Sequence, residues 1–292
     1  SYFVSTARMK KSPPPEMVGG GTSRLPAGTW SDDTTMILCT LDKLDETLDY
    51  DAIMKAFLRW VNEGDYTPYG DCFDIGNTTR RALMNYAHGA DISSCGLDGP
   101  YNNGNGSLMR IIPAALYSAA HGLSDEQAVR LSHVLSALTH AHLRSLMGCG
   151  IFTLIALSLI EKADKSSVAE GITKAKELYS GSQYAAEYKT YSRVFDKAFA
   201  TLPESEIRSS GHVSTTLECA LWCLLNTDSY RDCILKAVNF GEDTDTAACV
   251  AGALAGLLYG LKGIPGKWRA TLVKAESIEA VLSGFCKRNN IC

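Results

Sequence analysis

Alternating apolar and polar residues, the mark of a half-buried strand, are nearly absent from this 292-residue sequence, which excludes a sandwich or barrel. Basic clusters are missing as well. Twenty-eight Lys and Arg against 32 Asp and Glu leave a net charge of −4, with no positive field to hold a phosphate backbone, so nucleic acid is not an expected partner. The longest apolar runs, Ile151–Ile160 and Ala247–Leu261, fall short of the roughly 20 residues a bilayer requires. Ser1–Met9 has no apolar core of a signal peptide, and no membrane partner is expected. No Pro/Gly/Ser-rich linker or charge block separates two halves, so residues 1–292 read as a single domain. The ten cysteines form no disulfide framework. Cys219 and Cys223 sit one helical turn apart without a second pair or a His partner, which argues against zinc. Buried free thiols in a reducing, cytoplasmic compartment are the expectation.

What is present is an ordinary globular composition, 46% hydrophobic and 21% charged, arranged with helical periodicity. In the segment from Asp51, residues Ile53, Met54, Phe57, Leu58 and Val61 make one apolar stripe that Gly64 ends, and Asp51 is the expected cap. Similar patterns predict helices over 34–44, 77–88, 107–121, 124–138, 143–162, 166–179, 215–226, 230–239, 246–261 and 277–287. The fold class is therefore all-α. Gly252, Gly256 and Gly260 recur every fourth residue, and each costs a helix about 1 kcal/mol relative to alanine. The spacing predicts a central buried helix against which another backbone packs closely.

Two acidic clusters stand at predicted helix starts: Ser31-Asp32-Asp33-Thr34 after Gly28-Thr29-Trp30, and Asp243-Thr244-Asp245-Thr246 after Gly241-Glu242. Helix capping accounts for either one alone, because Ser, Asp and Thr are preferred N-caps and acids there complement the helix dipole. Yet a cap needs only one oxygen, and adjacent acids repel. Four carboxylates with hydroxyl neighbours suit hard divalent cations, Mg2+, Mn2+ or Ca2+, and the charge fits two ions better than one.

Tyr101-Asn102-Asn103-Gly104-Asn105-Gly106-Ser107-Leu108-Met109-Arg110 places two glycines before an apolar helix. The segment is either a plain turn or a place where a diphosphate rests on backbone N–H groups at a helix start. Asp74, in Phe73-Asp74-Ile75-Gly76, is a loop cap or a polar group aimed at a ligand hydroxyl. His140 follows Thr139 at another helix start.

In order along the chain, Gly28-Thr-Trp-Ser-Asp-Asp-Thr34, Phe73-Asp-Ile-Gly76, Asn103-Gly-Asn-Gly-Ser-Leu-Met-Arg110, Thr139-His140 and Gly241-Glu-Asp-Thr-Asp-Thr246 resemble the motifs of the ADP-ribosylglycohydrolase family, which includes the dinitrogenase reductase-activating glycohydrolase. The resemblance covers most of the chain. It implies an all-α, single-domain orthogonal helical bundle with a binuclear Mg2+ or Mn2+ centre. It also implies that Ser31, Asp32 and Asp33 form the first ligand group, with serine where threonine is usual, and that Asp243, Asp245 and Thr246 form the second. Asn103, Gly104, Asn105, Gly106, Ser107 and Met109 would receive ADP-ribose, and His140 and Asp74 would lie near the phosphates and the scissile ribose. The family's opening glycine-rich helix and the glutamate after it have no counterpart in Ser1–Val4. On that departure the bundle lacks its first helix, either because the sequence is truncated or because the protein has lost the helix and a catalytic group; the loss would leave reduced turnover or a module that binds ADP-ribose without cleaving it.

The implied reaction is hydrolysis of the glycosidic bond between ADP-ribose and a modified side chain, arginine first, in a monomer or weak dimer acting on ADP-ribosylated protein. Positive charge develops at the anomeric carbon while the leaving group gains a proton. Oxygen-held cations orient ribose hydroxyls and an attacking water, and Asp33 and Asp74 are the candidates to carry the proton.

Overall fold

Several helices in this chain start where a short polar side chain folds back on the backbone. The Asp49 carboxylate accepts from the Ala52 N–H, Ser124 and Gln127 form a reciprocal capping box, and Ser229 accepts from Asp232 N–H. Each satisfies donors that a helix start otherwise leaves open. The computed structural model describes residues 3–21, 24–181 and 183–291. In chain order the elements are β1 (Phe3–Val4), α1 (Thr6–Lys11), α2 (Asp32–Lys43), α3 (Tyr50–Glu63), α4 (Asn77–Ala87), α5 (Ile112–Ala120), α6 (Asp125–Ala137), α7 (Leu143–Glu161), α8 (Ser166–Tyr179), α9 (Ala185–Tyr188), α10 (Val213–Leu225), α11 (Tyr230–Asn239), β2 (Glu242–Asp243), α12 (Thr244–Gly263), α13 (Gly266–Thr271) and α14 (Ala275–Arg288). The all-α class holds. Strand pairing among the described residues is confined to the two-residue antiparallel pairing of β1 with β2, Phe3 opposite Asp243 and Val4 opposite Glu242, and to two isolated bridges, Gly20 with Leu25 and Leu97 with His140.

The fold's contacts gather into two units. The first comprises Ser1–Thr29 and Leu154–Leu272. Here α12 packs against α10 and α11, and α1 against α11. Leu217, Leu221 and Leu224 of α10 and Val250, Ala251 and Leu254 of α12 are buried, and Trp222 meets Phe240 edge to face. Glu16 ties its loop down by accepting from Arg231 and from the Trp268 indole N–H at 2.7 Å. Gly171 lets α8 approach α7 closely, since a Cβ there would lie 2.5 Å from Ile155 Cα.

The second unit comprises Trp30–Thr153 and Val273–Cys292. In it α2 packs against α3, α5, α14 and a 3-10 turn at Leu108–Arg110, while α3 meets α4 and α5 meets α6. Met36, Cys39 and Leu41 of α2 and Ile53, Met54, Phe57 and Trp60 of α3 are buried; Ile53, Met54 and Phe57 of the predicted stripe face the core, while Leu58 and Val61 are half-buried and Trp60 completes the buried face.

Three expectations about elements need correction. Asp49, one residue before α3, is the cap; Asp51 sits in the first turn and pairs with Lys55 four residues on at 2.6 Å. The helix expected from Ser107 begins at Ile112, after the 3-10 turn, with Pro113 at its start where a missing N–H costs nothing. The glycine stripe of α12 is not a backbone-packing face. Gly252 faces the side chains of Ile234 and Tyr230, Gly256 and Gly260 have open space, and Gly260 breaks the helix at φ 65°. The buried helix is α7, whose residues from Met147 to Leu159 are all covered. By length and composition α7 and α12 are each long enough to cross a membrane, more than their apolar runs suggest, though most of α7 is buried within the protein.

Candidate active site

At the start of α2, Ser31 occupies the N-cap position but its side chain makes no cap hydrogen bond. Its hydroxyl instead donates to Asp33 Oδ2 at 2.6 Å. Asp32 and Asp33 are 8% and 3% exposed, and burying a carboxylate costs several kcal/mol unless charge or hydrogen bonds compensate. The turn is clamped from outside: the Tyr66 carbonyl accepts from the Trp30 indole N–H and from the Thr35 hydroxyl, both at 3.2 Å. Tyr66 has φ 60°, and its hydroxyl donates to Asp42 at 2.6 Å. Sequence reasoning missed this clamp, because a carbonyl in a loop leaves no compositional signal.

The second acidic cluster, in the other unit, repeats the pattern. Asp243 holds the N-cap position of α12 without a side-chain cap hydrogen bond. Asp243 and Thr246 are buried and Asp245 is half-buried. The Asp243 N–H donates to the Ser209 carbonyl at 2.9 Å and the Ser209 hydroxyl returns a bond to the Asp243 carbonyl. Gly241 (φ 81°) leaves no room for a Cβ, which would lie 2.8 Å from Thr6 Cα, and Glu242 follows at φ 57°. Asp49, Ser124 and Ser229 cap their helices through their side chains, whereas the two acidic starts do not. The N-cap side chains of the two acidic starts are therefore not spent on their helices. Among the described residues no three His, Cys, Asp or Glu side chains form a group able to hold a metal, so each cluster offers two carboxylates with a hydroxyl: Ser31 beside Asp32 and Asp33, Thr246 beside Asp243 and Asp245.

Asp74 lies at φ 66°, half-buried, in the loop before α4. Gly76, not Asp74, occupies the N-cap of α4. Cys72 links this loop to the first acidic cluster: burial pushes its thiol up, Arg80 pulls it down and Asp32 pushes it up.

Within the glycine segment Asn103, Asn105, Ser107 and Met109 are buried and Gly104 and Gly106 half-buried. The backbone N–H groups of Met109 and Arg110 are already used, by the carbonyls of Asn105 and Ser107, which removes them from an anion site at a helix start. Gly106 has no side chain because the His140 ring lies against it: a Cβ would sit 3.0 Å from His140 Cε1 and 3.3 Å from both its Nε2 and Thr79 Oγ1. His140 is 2% exposed. Its strand-like neighbour Leu97 pins the backbone, with N–H donated to the Thr139 carbonyl and carbonyl accepting from Ala141. Ser136 Oγ lies 3.0 Å from the His140 carbonyl and 2.8 Å from Ser107 Oγ, and Ser107 Oγ is 3.4 Å from Cys149 Sγ. Burial first, and then the Arg110 charge, push the His140 pKa down to about 3. The ring is neutral at physiological pH. Arg110, which the sequence offered only as a cation ending the segment, is wholly buried with its guanidinium over the Phe57 ring.

The sequence profile of the ADP-ribosylglycohydrolase family matches residues 2–290. The chain belongs to that family. It is similar to the ADP-ribosylarginine hydrolase Tri1 of Pseudomonas putida, 35% identical over 266 residues that cover 90% of this chain and 68% of the relative. It is 29% identical to the ADP-ribosyl-[dinitrogen reductase] glycohydrolase of Rhodospirillum rubrum, over 88% of this chain and 78% of that one. A solved structure described as an ADP-ribosylglycohydrolase-related protein complex superposes with a TM-score of 0.77 at 29% identity, over 98% of this chain and 92% of its own.

Proposed function

We propose that this ADP-ribosylglycohydrolase cleaves the glycosidic bond between ADP-ribose and an arginine side chain of a modified protein, in a reducing cytoplasm and with two divalent cations. The family match over residues 2–290 carries the hydrolase assignment, and the arginine linkage follows the activity for which the Tri1 relatives are named. The donor chemistry supports Mg2+ or Mn2+, because both acidic clusters present carboxylate and hydroxyl oxygens, and neither spends its N-cap side chain on the helix. Ser31, Asp32 and Asp33, with Asp243, Asp245 and Thr246, would hold the cations. When bound they would orient the ribose hydroxyls and a water and lower that water's pKa.

The protein's own groups would divide the remaining work. Ser31 fixes the Asp33 carboxylate by donating to one of its oxygens, leaving Asp33 aimed rather than mobile. Asp33 or Asp74 takes the proton from the attacking water and returns one to the departing guanidine nitrogen. Asn103–Ser107 and Met109 would seat ADP-ribose, with the His140 ring packed against the bare Gly106.

The test is release of free ADP-ribose from an ADP-ribosylarginine protein and from an ADP-ribosylserine protein, with Mg2+, with Mn2+ and with a chelator. Chelator-sensitive release from the arginine substrate is the expected result. Release that persists in chelator would overturn the cation assignment, and preference for the serine substrate would overturn the linkage.

A further inference from the structure

The His140 ring is neutral, so which of its two nitrogens carries the proton decides whether it offers a ligand a donor or an acceptor. His140 Nδ1 lies 2.8 Å from Thr139 Oγ1. Arg110 Nη2 donates to the same oxygen, also at 2.8 Å. Arg110, Thr139 and His140 are all buried, and these are the two polar partners of the threonine hydroxyl among the described residues. A hydroxyl has one proton to give and two lone pairs. Were Nδ1 protonated, Thr139 would accept twice and its own proton would have no acceptor, at the cost of an unmade buried hydrogen bond. If Thr139 donates to Nδ1, the hydroxyl proton and the Nδ1 lone pair are both satisfied, and the hydroxyl still accepts from Arg110.

Arg110 makes this choice one-sided. A guanidinium has donors only and keeps its proton, so the hydroxyl cannot turn its hydrogen toward it. The charge is also held in place: the guanidinium lies 4.9 Å from the Phe57 ring centroid, and its Nε and Nη1 have no other hydrogen-bond partner. The donation to Thr139 is thus the polar contact that places this buried cation.

We propose that Arg110 is a positioning residue which, through the Thr139 hydroxyl, holds His140 as the Nε2–H tautomer and so makes it a hydrogen-bond donor. The ligand that this donor serves is an oxygen acceptor, a phosphate or ribose oxygen, and this part rests on the functional reading above. Three positions of the sequence then share one purpose: Gly106 leaves room for the ring, His140 supplies the donor, and Arg110 sets which nitrogen holds the proton.

The test reads the tautomer directly. Two-bond proton–nitrogen NMR on histidine-labelled protein distinguishes the two forms, and a His140→Asn variant identifies the resonance. The wild-type ring is expected as Nε2–H. Thr139→Val keeps the shape and removes the hydroxyl, so it is expected to mix the tautomers and weaken ADP-ribose binding about tenfold, with Thr139→Ser restoring both. Arg110→Met is expected to mix the tautomers while Thr139 stays in place. A wild-type Nδ1–H ring, or an Nε2–H ring unchanged in Thr139→Val or in folded Arg110→Met, would overturn the relay. If Arg110→Met does not fold, the wild-type and Thr139 spectra decide. Calorimetry separates the two readings: ADP-ribose binding unaffected by His140→Asn would remove His140 from the ligand site, and the tautomer result would stand or fall independently.

Discussion

Two buried neighbouring carboxylates are a cost to the folded protein and a resource to its chemistry. Replacing Asp33 by Asn would remove the proposed proton carrier and cation ligand, and hydrolysis is expected to fall by about a hundredfold or more. The melting temperature of the cation-free protein is expected not to fall, because repulsion beside Asp32 is relieved. A joint loss of activity and stability would make Asp33 a structural group. His140 gives a second prediction. Its folded pKa, about 3, lies below the unfolded value of about 6.5, so the unfolded chain binds more protons between those limits. The stability His140 contributes is complete above pH 6.5 and is lost as pH falls toward 3, at about 1.4 kcal/mol per pH unit. Urea midpoints measured from pH 7 to pH 5 are expected to fall, less steeply in His140→Asn. An equal slope would show that the ring is not buried neutral.

Among the elements, the α3–α4 connection shows how residues outside the motifs hold the site. Gly64 ends α3 at φ 71°, and a Cβ there would sit 1.8 Å from the Gly70 carbonyl oxygen. Gly70 is also left-handed, at φ 84°, but has open space around it. Gly70→Ala is therefore expected to cost only the backbone strain, about 1–2 kcal/mol, and Gly64→Ala distinctly more, because main chain must move. The same loop carries Tyr66, whose carbonyl clamps Trp30 and Thr35 on either side of the acidic turn. Gly64→Ala is thus expected to reduce hydrolysis as well as stability, and Gly70→Ala stability alone. Urea titration and an ADP-ribose release assay on both variants check this. The helix of residues 107–121 was legible except at its start, because the apolar pattern runs unbroken through Leu108–Arg110 while Pro113 admits an α-helix only from Ile112. The short α1, α9 and α13 went unread, since elements of four to six residues hold too little periodicity to register.

For the molecule as a whole, ligand and cation binding to the native state add to its stability by mass action, about 2.7 kcal/mol at a hundredfold excess over Kd. Mn2+ with ADP-ribose is expected to raise the melting temperature, and chelator to leave the cation-free protein unchanged. No shift at saturating concentrations would count against the proposed donors. The all-α class, the helices of ten residues or more and the family are legible in the order of the amino acids, because apolar periodicity and short polar motifs are local properties. So are both acidic clusters. That neither cluster spends its N-cap side chain on the helix, that α7 rather than α12 is the buried helix, and that Arg110 reaches Thr139 emerge only in the folded chain. Each depends on which atom occupies the space beside a side chain, and residues as distant in sequence as Arg110 and Thr139 meet only when the chain is folded.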